Sequence, residues 1–238
     1  MGAIPGWIDY IDPDYIDASA PWVRNRSVAN SKYGANATPV LGTFPNGQKS
    51  FSQVEGSGYG IYSDPLSQSI DPTQWSIFTT CIPGYVSSEL NENVIVRGNS
   101  SNVGPELGLR VALTRSSGYP IVREFSSGTS GSGSTSNPSR LTVNVNLINR
   151  TVPSFVMFTF STRDGLRIFI DGALAGSAPT DKRPIQVDLG PEQRSFFRGV
   201  RGSYGVTGIL NTDLGWEEHT GYRRAIEKFM FDKYGISA

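Results

Sequence analysis

Few side chains in this 238-residue sequence could do acid–base, nucleophilic or metal chemistry, and their spacing argues against most of it. There is one histidine, His219, and one cysteine, Cys81. A single histidine excludes a multi-His metal centre. No Gly-x-Ser-x-Gly elbow accompanies it, so a Ser–His–Asp hydrolase is not expected. His219 falls at the frayed start of a predicted helix and reads as a cap or a solvent-facing residue. Cys81 lies between Thr80 and Ile82 in a predicted strand with no basic neighbour. That setting suits a buried, inert apolar residue better than a reactive thiol, and alone it makes no intrachain disulfide. Glycosidases need two carboxylates held at a fixed separation. Glu89, Glu92, Glu106 and Glu124 stand alone, with no Asp two residues away on a strand. Gly131-Ser132-Gly133 is linker composition and not a phosphate loop. The chain is read as non-enzymatic, with no cofactor.

The acidic residues invite a different reading. Asp9, Asp12, Asp14 and Asp17 crowd the N-terminus, but without the spacing of a calcium loop, which must supply about six to eight oxygens. Glycan recognition would need an exposed aromatic platform beside Asn, Asp or Gln. Tyr85, Tyr119 and Tyr204 sit at predicted loops or strand ends and qualify by type. Each more often serves as core or rim packing, half buried with its hydroxyl in water.

What must position these residues is a β-rich chain. Gly (27) and Pro (15) are frequent, and charged residues make up only 18%. Hydrophobic content of 37% is enough for a core. Basic and acidic residues number 21 each, so there is no surplus of cation to recruit nucleic acid or a membrane surface. No apolar run is long enough to span a bilayer. The N-terminus lacks a signal-peptide pattern, and Gly6 breaks the myristoylation pattern. The sequons at Asn25, Asn36, Asn99 and Asn149 are therefore read as unglycosylated.

Residues 1–57 show no sustained periodicity and read as an extended arm; residues 58–238 read as the folded domain. Strands are predicted at Gln74–Ile82, Val94–Arg97, Leu107–Thr114, Ile121–Phe125, Leu141–Ile148, Ile185–Leu189 and Tyr204–Leu210. The strongest signal is Phe155–Ser177, where Arg163-Asp164-Gly165 and Asp171-Gly172 separate alternating apolar runs. Asp-Gly in that setting marks a hairpin, so a three-stranded meander is expected. Phe158, Phe160, Ile168, Ile170, Val111 and Leu113 are the expected core. Ser126–Pro138 has no charge and almost nothing apolar, and reads as a mobile loop. One helix is predicted, Trp216–Tyr234, with Tyr222, Ile226, Phe229 and Lys233 or Tyr234 on one face. Glu217 and Glu218 suit its first turn, Gly221 weakens its start, and Gly235 ends it.

The meander, the following Gly205–Leu214 segment and the terminal Tyr222-Arg223…Glu227-Lys228…Lys233-Tyr234-Gly235-Ile236 pattern together resemble laminin-G-like, concanavalin-A-like jelly-roll domains. The resemblance spans residues 58–236 and is similar to such domains in phage and bacterial surface proteins. It implies an all-β, antiparallel jelly-roll β-sandwich with a C-terminal helix. Some domains of this fold hold Ca2+ at the rim, where Asp164, Asp171 or Asp181 could contribute. Fold alone does not settle function. The phage likeness implies a structural or interaction protein of the virion: a capsid decoration, head-fibre or tail-associated component, with other virion proteins or copies of itself as partners. The alternative is a carbohydrate-binding, lectin-like module for a cell-surface glycan.

The arm is expected to dock a partner. Trp7, Tyr10, Tyr15 and Trp22 would be exposed on a free arm, and clustered exposed aromatics usually meet a partner. The acidic set Asp9, Asp12, Asp14 and Asp17 is complementary to a basic stretch containing Lys182, Arg183, Arg194, Arg198 and Arg201. An arm lying across that stretch of a neighbouring copy would give a homo-oligomer. The alternative is that Trp7 and Trp22 fold back on their own sandwich.

Overall fold

In the computed structural model, the described residues are 4–15, 41–52, 61–62, 68–71, 73–84, 92–98, 108–114, 120–125, 140–142, 151–178, 194–198 and 201–237. They form two antiparallel sheets and one helix. The strands of the larger sheet are β1 (Trp7–Ile11), β2 (Leu41–Thr43), β3 (Lys49–Ser52), β5 (Gln74–Pro83), β10 (Ser154–Ser161), β11 (Gly165–Ile170), β12 (Ala173–Ala178) and β14 (Gly202–Leu210). Their order is β12-β11-β10-β5-β14-β3-β2, with β1 also paired to β14. The smaller sheet runs β4 (Ile61–Tyr62), β13 (Arg194–Arg198), β6 (Glu92–Gly98), β7 (Gly108–Thr114), β8 (Pro120–Phe125) and β9 (Arg140–Thr142). Helix α1 (Thr220–Tyr234) follows a short 3-10 turn, Glu217–His219.

The larger sheet is buried on both faces, and alternation along its strands explains how. Trp75, Ile77, Val156, Phe158, Phe160 and Ile168 point toward the smaller sheet, where Ile95, Val96, Phe196 and Phe197 meet them. Phe78, Phe155, Met157, Phe169 and Leu210 point the other way, against Ile226, Met230 and Tyr234 of α1. Every residue of β10 is buried as a result. Thr79 and Thr207, opposite each other on β5 and β14, satisfy one another through their hydroxyls at 2.7 Å. Tyr234 seats the helix. Its ring lies against Phe44 and over Gly205, where a Cβ would collide with it, and its hydroxyl accepts the Val206 N–H at 2.8 Å.

The meander is as expected: β10, β11 and β12 are consecutive and antiparallel. Asp171 and Gly172 both take positive φ, 48° and 82°, as a two-residue hairpin of the right twist requires. Of the expected core, Phe158, Phe160 and Ile168 are fully buried, and Ile170 is partly buried. The side chains of Val111 and Leu113, on β7, lie outside the description.

Two expectations change. The boundary at residue 57 falls within the larger sheet, because β1 pairs with β14 and β3 pairs with both β2 and β14. Short strands with mixed residues carry too little alternation to be read from sequence. The helix is rotated relative to the predicted stripe. Ile226, Glu227, Met230 and Tyr234 are its buried positions, while Tyr222 is 38% exposed. Burial of Glu227 is tolerated because Arg223 and Arg224 flank its carboxylate at 3.4 and 2.8 Å. The regular helix begins at Thr220, close to the late start that Gly221 suggested. The Ser126–Pro138 loop, the Ile185–Leu189 strand, most of Leu141–Ile148 and the four sequons lie outside the described residues.

Candidate functional site

One end of the larger sheet carries a cluster of rings and charges. It is assembled from the β10–β11 turn, the segment after β14, and the start of α1. Asp213 organises that segment. It is buried; its Oδ1 accepts the Gly215 N–H at 2.8 Å. Its main-chain oxygen accepts from the His219 ring Nδ1 at 2.7 Å. Ser76 on β5 anchors the same segment, donating to the Thr212 oxygen and accepting the Leu214 N–H. Arg167 on β11 donates to the Gly215 oxygen at 2.6 Å.

This scaffold sets three rings in a row. Trp216 and His219 meet edge to face at 4.9 Å between centroids, and His219 and Tyr222 lie 6.0 Å apart. The spacing of three residues places them along one side of the 3-10 turn and the first turn of α1. Arg163, from the β10–β11 turn, lies 4.2 Å over the Trp216 ring. The same guanidinium donates twice to Asp164, at 3.1 and 2.7 Å. That hydrogen bond holds the Asp164 carboxyl below its usual range and the guanidinium above its own. Glu217 and Glu218, between Trp216 and His219 in the sequence, are exposed. The start of α1 has no side-chain cap. Trp216 and His219 are partly exposed and Tyr222 is exposed, while Arg163 covers one side of the Trp216 ring.

The one described residue of the predicted platform tyrosines lies elsewhere. Tyr204 is fully buried in the core, where burial raises its phenol well above the usual range; Tyr85 and Tyr119 lie outside the described residues. His219 is the N-cap residue of α1 and is partly exposed, but its ring caps no helix N–H and bonds instead to the Asp213 oxygen. Cys81 is buried, and burial pushes its thiol up. The ring row was present in the sequence as Trp216-x-x-His219-x-x-Tyr222, a spacing with meaning only once a helical turn is assigned there.

Of the predicted docking residues, Trp7, Asp12 and Asp14 meet side chains of their own chain. Ile8 and Ile11 of β1 are core, and Asp9 and Asp12 are buried. Trp7 packs edge-on against Phe78 and Tyr10. The cation that meets Asp12 and Asp14 is Lys233 of α1 in the same chain, at 2.8 and 2.7 Å. Over the described part, the segment folds back on its own sandwich. Tyr15 closes a short 3-10 turn, Pro13–Tyr15; Asp17 and Trp22 lie outside the description. Arg194 and Arg198 are on β13, and Arg201 precedes β14. Asp164 and Asp171 flank the two ends of the six-residue strand β11, seven positions or roughly 23 Å apart, so they share no rim ion. Asp171 accepts the Phe155 N–H at 2.7 Å, and Asp181 is outside the description. Among the described residues, no three acidic, His or Cys side chains group to hold a metal, and no helix is long and apolar enough to cross a membrane.

No family model and no curated protein matches the chain. Solved structures match it in fold. Domain 4 of AbnA, a GH43 extracellular arabinanase from Geobacillus stearothermophilus in complex with arabinotriose, superposes with a TM-score of 0.53 at 12% identity, over 87% of this chain and 93% of that one. The CBM40 of a Ruminococcus gnavus sialidase, bound to α2,3-sialyllactose, gives 0.50 at 13% identity, over 77% and 97%. The binding domain of botulinum neurotoxin DC, in complex with rat synaptotagmin II, gives 0.51 at 11% over 84% of this chain, which spans about half (51%) of that domain. At such identities the likeness shows the fold alone. The class is an antiparallel β-sandwich of the kind found in carbohydrate-binding and receptor-binding domains.

Proposed function

We propose that this chain is a non-catalytic recognition module that binds a carbohydrate on the Trp216–His219–Tyr222 face. The observation that carries the reading is the ring row itself. The His219 ring is held by the main-chain oxygen of buried Asp213, the Trp216 ring lies under Arg163, and all three rings are at least partly exposed, with the exposed Glu217 and Glu218 in the same turn. Rings present flat apolar faces to the C–H faces of sugars, and carboxylates accept sugar hydroxyls. The fold supports the reading, since an arabinanase domain in complex with arabinotriose and a sialidase module bound to sialyllactose share it. The virion location implied by the terminal-helix motif rests on that motif alone. A capsid or tail protein that contacts host glycans would satisfy both.

The test is a glycan array with the intact chain, followed by calorimetry on the best ligand. Binding should fall at least about tenfold, or about 1.4 kcal/mol, in both Trp216→Ala and Tyr222→Ala. An array with no signal above background overturns the reading. So does undiminished binding by the double variant.

A further inference from the structure

We infer that the smaller sheet carries a second binding site: a line of four arginines, aligned by register on the face away from the core, that takes a linear acidic polysaccharide with one carboxylate on each sugar. It does not rest on the ring row, which lies at one end of the other sheet.

The line follows from register. Arg97 of β6 is paired with Arg110 of β7, Arg110 with Arg123 of β8, and Arg123 with Arg140 of β9. Directly opposite residues share a face of the sheet. Arg97 is also paired with Ser195 of β13, and Ser195 with Tyr62 of β4. Every strand of the smaller sheet adds one residue to this line, and none of the six is acidic. One register position along, Phe196, Val96, Val111, Val122 and Leu141 form the neighbouring line. Phe196 and Val96 are buried in the core between the sheets. Successive residues alternate between faces, so the arginine line belongs to the opposite face. The apolar line fixes the register, because a slip of one residue would turn it out of the core. The arginines are aligned as a consequence.

Such alignment is costly. Like charges directly opposite each other destabilise a sheet, and here three successive pairs are Arg–Arg. The four strands that hold them contain two acids, Glu92 and Glu124. Glu124 is paired with Leu109 and alternates to the other face; Glu92 is paired with Thr114, at the far end of β6. A local rule broken repeatedly along one line marks that line as a candidate site.

The shape of the line selects the ligand. Strands lie about 4.8 Å apart, so the four positions recur at that step over roughly 14 Å. A polyuronate carries its charge in the same way, one carboxylate per sugar along a single chain, and guanidinium pairs with carboxylate through a two-pronged fork. The line is one residue wide: Gly108 and Ala112 flank it on β7, Ile121 and Phe125 on β8, all uncharged. A nucleic acid calls for a broader basic surface, and the chain has 21 basic against 21 acidic residues.

The test is calorimetry on the intact chain with polygalacturonate, its fully methyl-esterified form, and single- and double-stranded DNA oligonucleotides. Polygalacturonate should bind at about 0.05 M NaCl and weaken at least about tenfold by about 0.3 M, as screening acts on a charged ligand. The ester should bind at least about tenfold more weakly than the acid. Arg110→Gln combined with Arg123→Gln, at the centre of the line, should weaken the acid at least about tenfold with no fall in Tm, since like charges are removed from opposite positions. Lys228→Gln removes an exposed cation of α1 and should change the affinity by less than about twofold. If the central pair fails to fold, Arg97→Gln combined with Arg140→Gln, at the ends, reads the same loss. No binding of polygalacturonate overturns the inference, as does equal binding of its ester or undiminished binding by the arginine variants. Tighter binding of either DNA overturns the polysaccharide. A loss in Lys228→Gln equal to that of the arginine variants shows attraction without a site and overturns it too.

Discussion

The two ends of α1 use similar residues to opposite purposes. At its C-terminal end Tyr234 is buried, bonded to the Val206 N–H and packed on Phe44. Lys233 reaches back to three oxygens of Asp12 and Asp14 and ties the first strand to the last helix. Gly235 closes the helix in the left-handed conformation, and its N–H and that of Ile236 both bond to the Phe231 oxygen. At the N-terminal end the same inventory of rings, carboxylates and cations is turned outward. The start is uncapped, contains a glycine nothing requires, and exposes Tyr222. A fold that satisfies its local rules at one end and relaxes them at the other points to the relaxed end as the working one.

The sharpest way to break this comparison is to move the cost. Tyr234→Ala should destabilise the protein by about 3–5 kcal/mol, from lost packing and an orphaned Val206 N–H. Tyr222→Ala should stay within about 0.5 kcal/mol, as expected for an exposed ring. Urea unfolding of the two variants measures both. Equal losses would mean that both ends are structural and that the ring row is merely the helix's own anchor.

The next effect is the ion cluster. Lys233→Met leaves Asp12 buried with only the Tyr10 hydroxyl and the Asp14 N–H to satisfy it. The cost should be about 2–4 kcal/mol, at the low end of the buried-pair range because Lys233 and Asp14 are partly exposed. Hydrogen exchange should show the amides of β1 opening first. A loss below about 0.5 kcal/mol would mean that β1 is held by Ile8 and Ile11 alone. The same contacts reverse an expectation from sequence. Removing residues 1–50 takes away β1 and β2 and cuts into β3, so the truncated chain should fail to fold cooperatively.

What the sequence disclosed follows from where the pattern is strong. The meander was legible because two Asp-Gly turns separate short apolar runs. The helix was legible in extent but not in phase. A strand buried on both faces, such as β10, reads as uniformly apolar and hides the second layer that covers it. Nothing local distinguishes Phe155 and Met157, which face the helix, from Phe158 and Phe160, which face the other sheet. The first strand was missed because WIDYI mixes an acid and two rings into a five-residue element. Its place is fixed by β14 and Lys233, about 200 and 220 residues away. The ring row escaped for a related reason. Its scaffold, Ser76, Arg167 and Asp213, is dispersed along the chain and converges only in the fold.

The smallest expected effect separates the two ends of β11 in the same spirit. Asp164 is held below the usual carboxylate range, first by its hydrogen bond from Arg163. A lowered folded-state pKa means that its contribution is complete above the ordinary aspartate value and is lost as the pH falls through the folded one. Asp171, at the other end, is pushed up by burial, an effect only partly offset by the Phe155 N–H. Its sign is reversed. The neutral form suits the fold, so stability is greatest below the ordinary aspartate value and declines as the pH rises through the raised one. Asn at position 171 keeps an acceptor for the Phe155 N–H and tolerates the positive φ. Asp171→Asn should therefore melt progressively above the unaltered protein as the pH rises from the acid side. Asp164→Asn should melt progressively below it over the same range, by a small amount because the Arg163 pair is open to solvent. Melting curves from about pH 3 to pH 7 compare them. Parallel pH profiles for the two variants would show that burial at the Asp171 turn does not set its charge, and that the two ends of β11 are electrostatically alike.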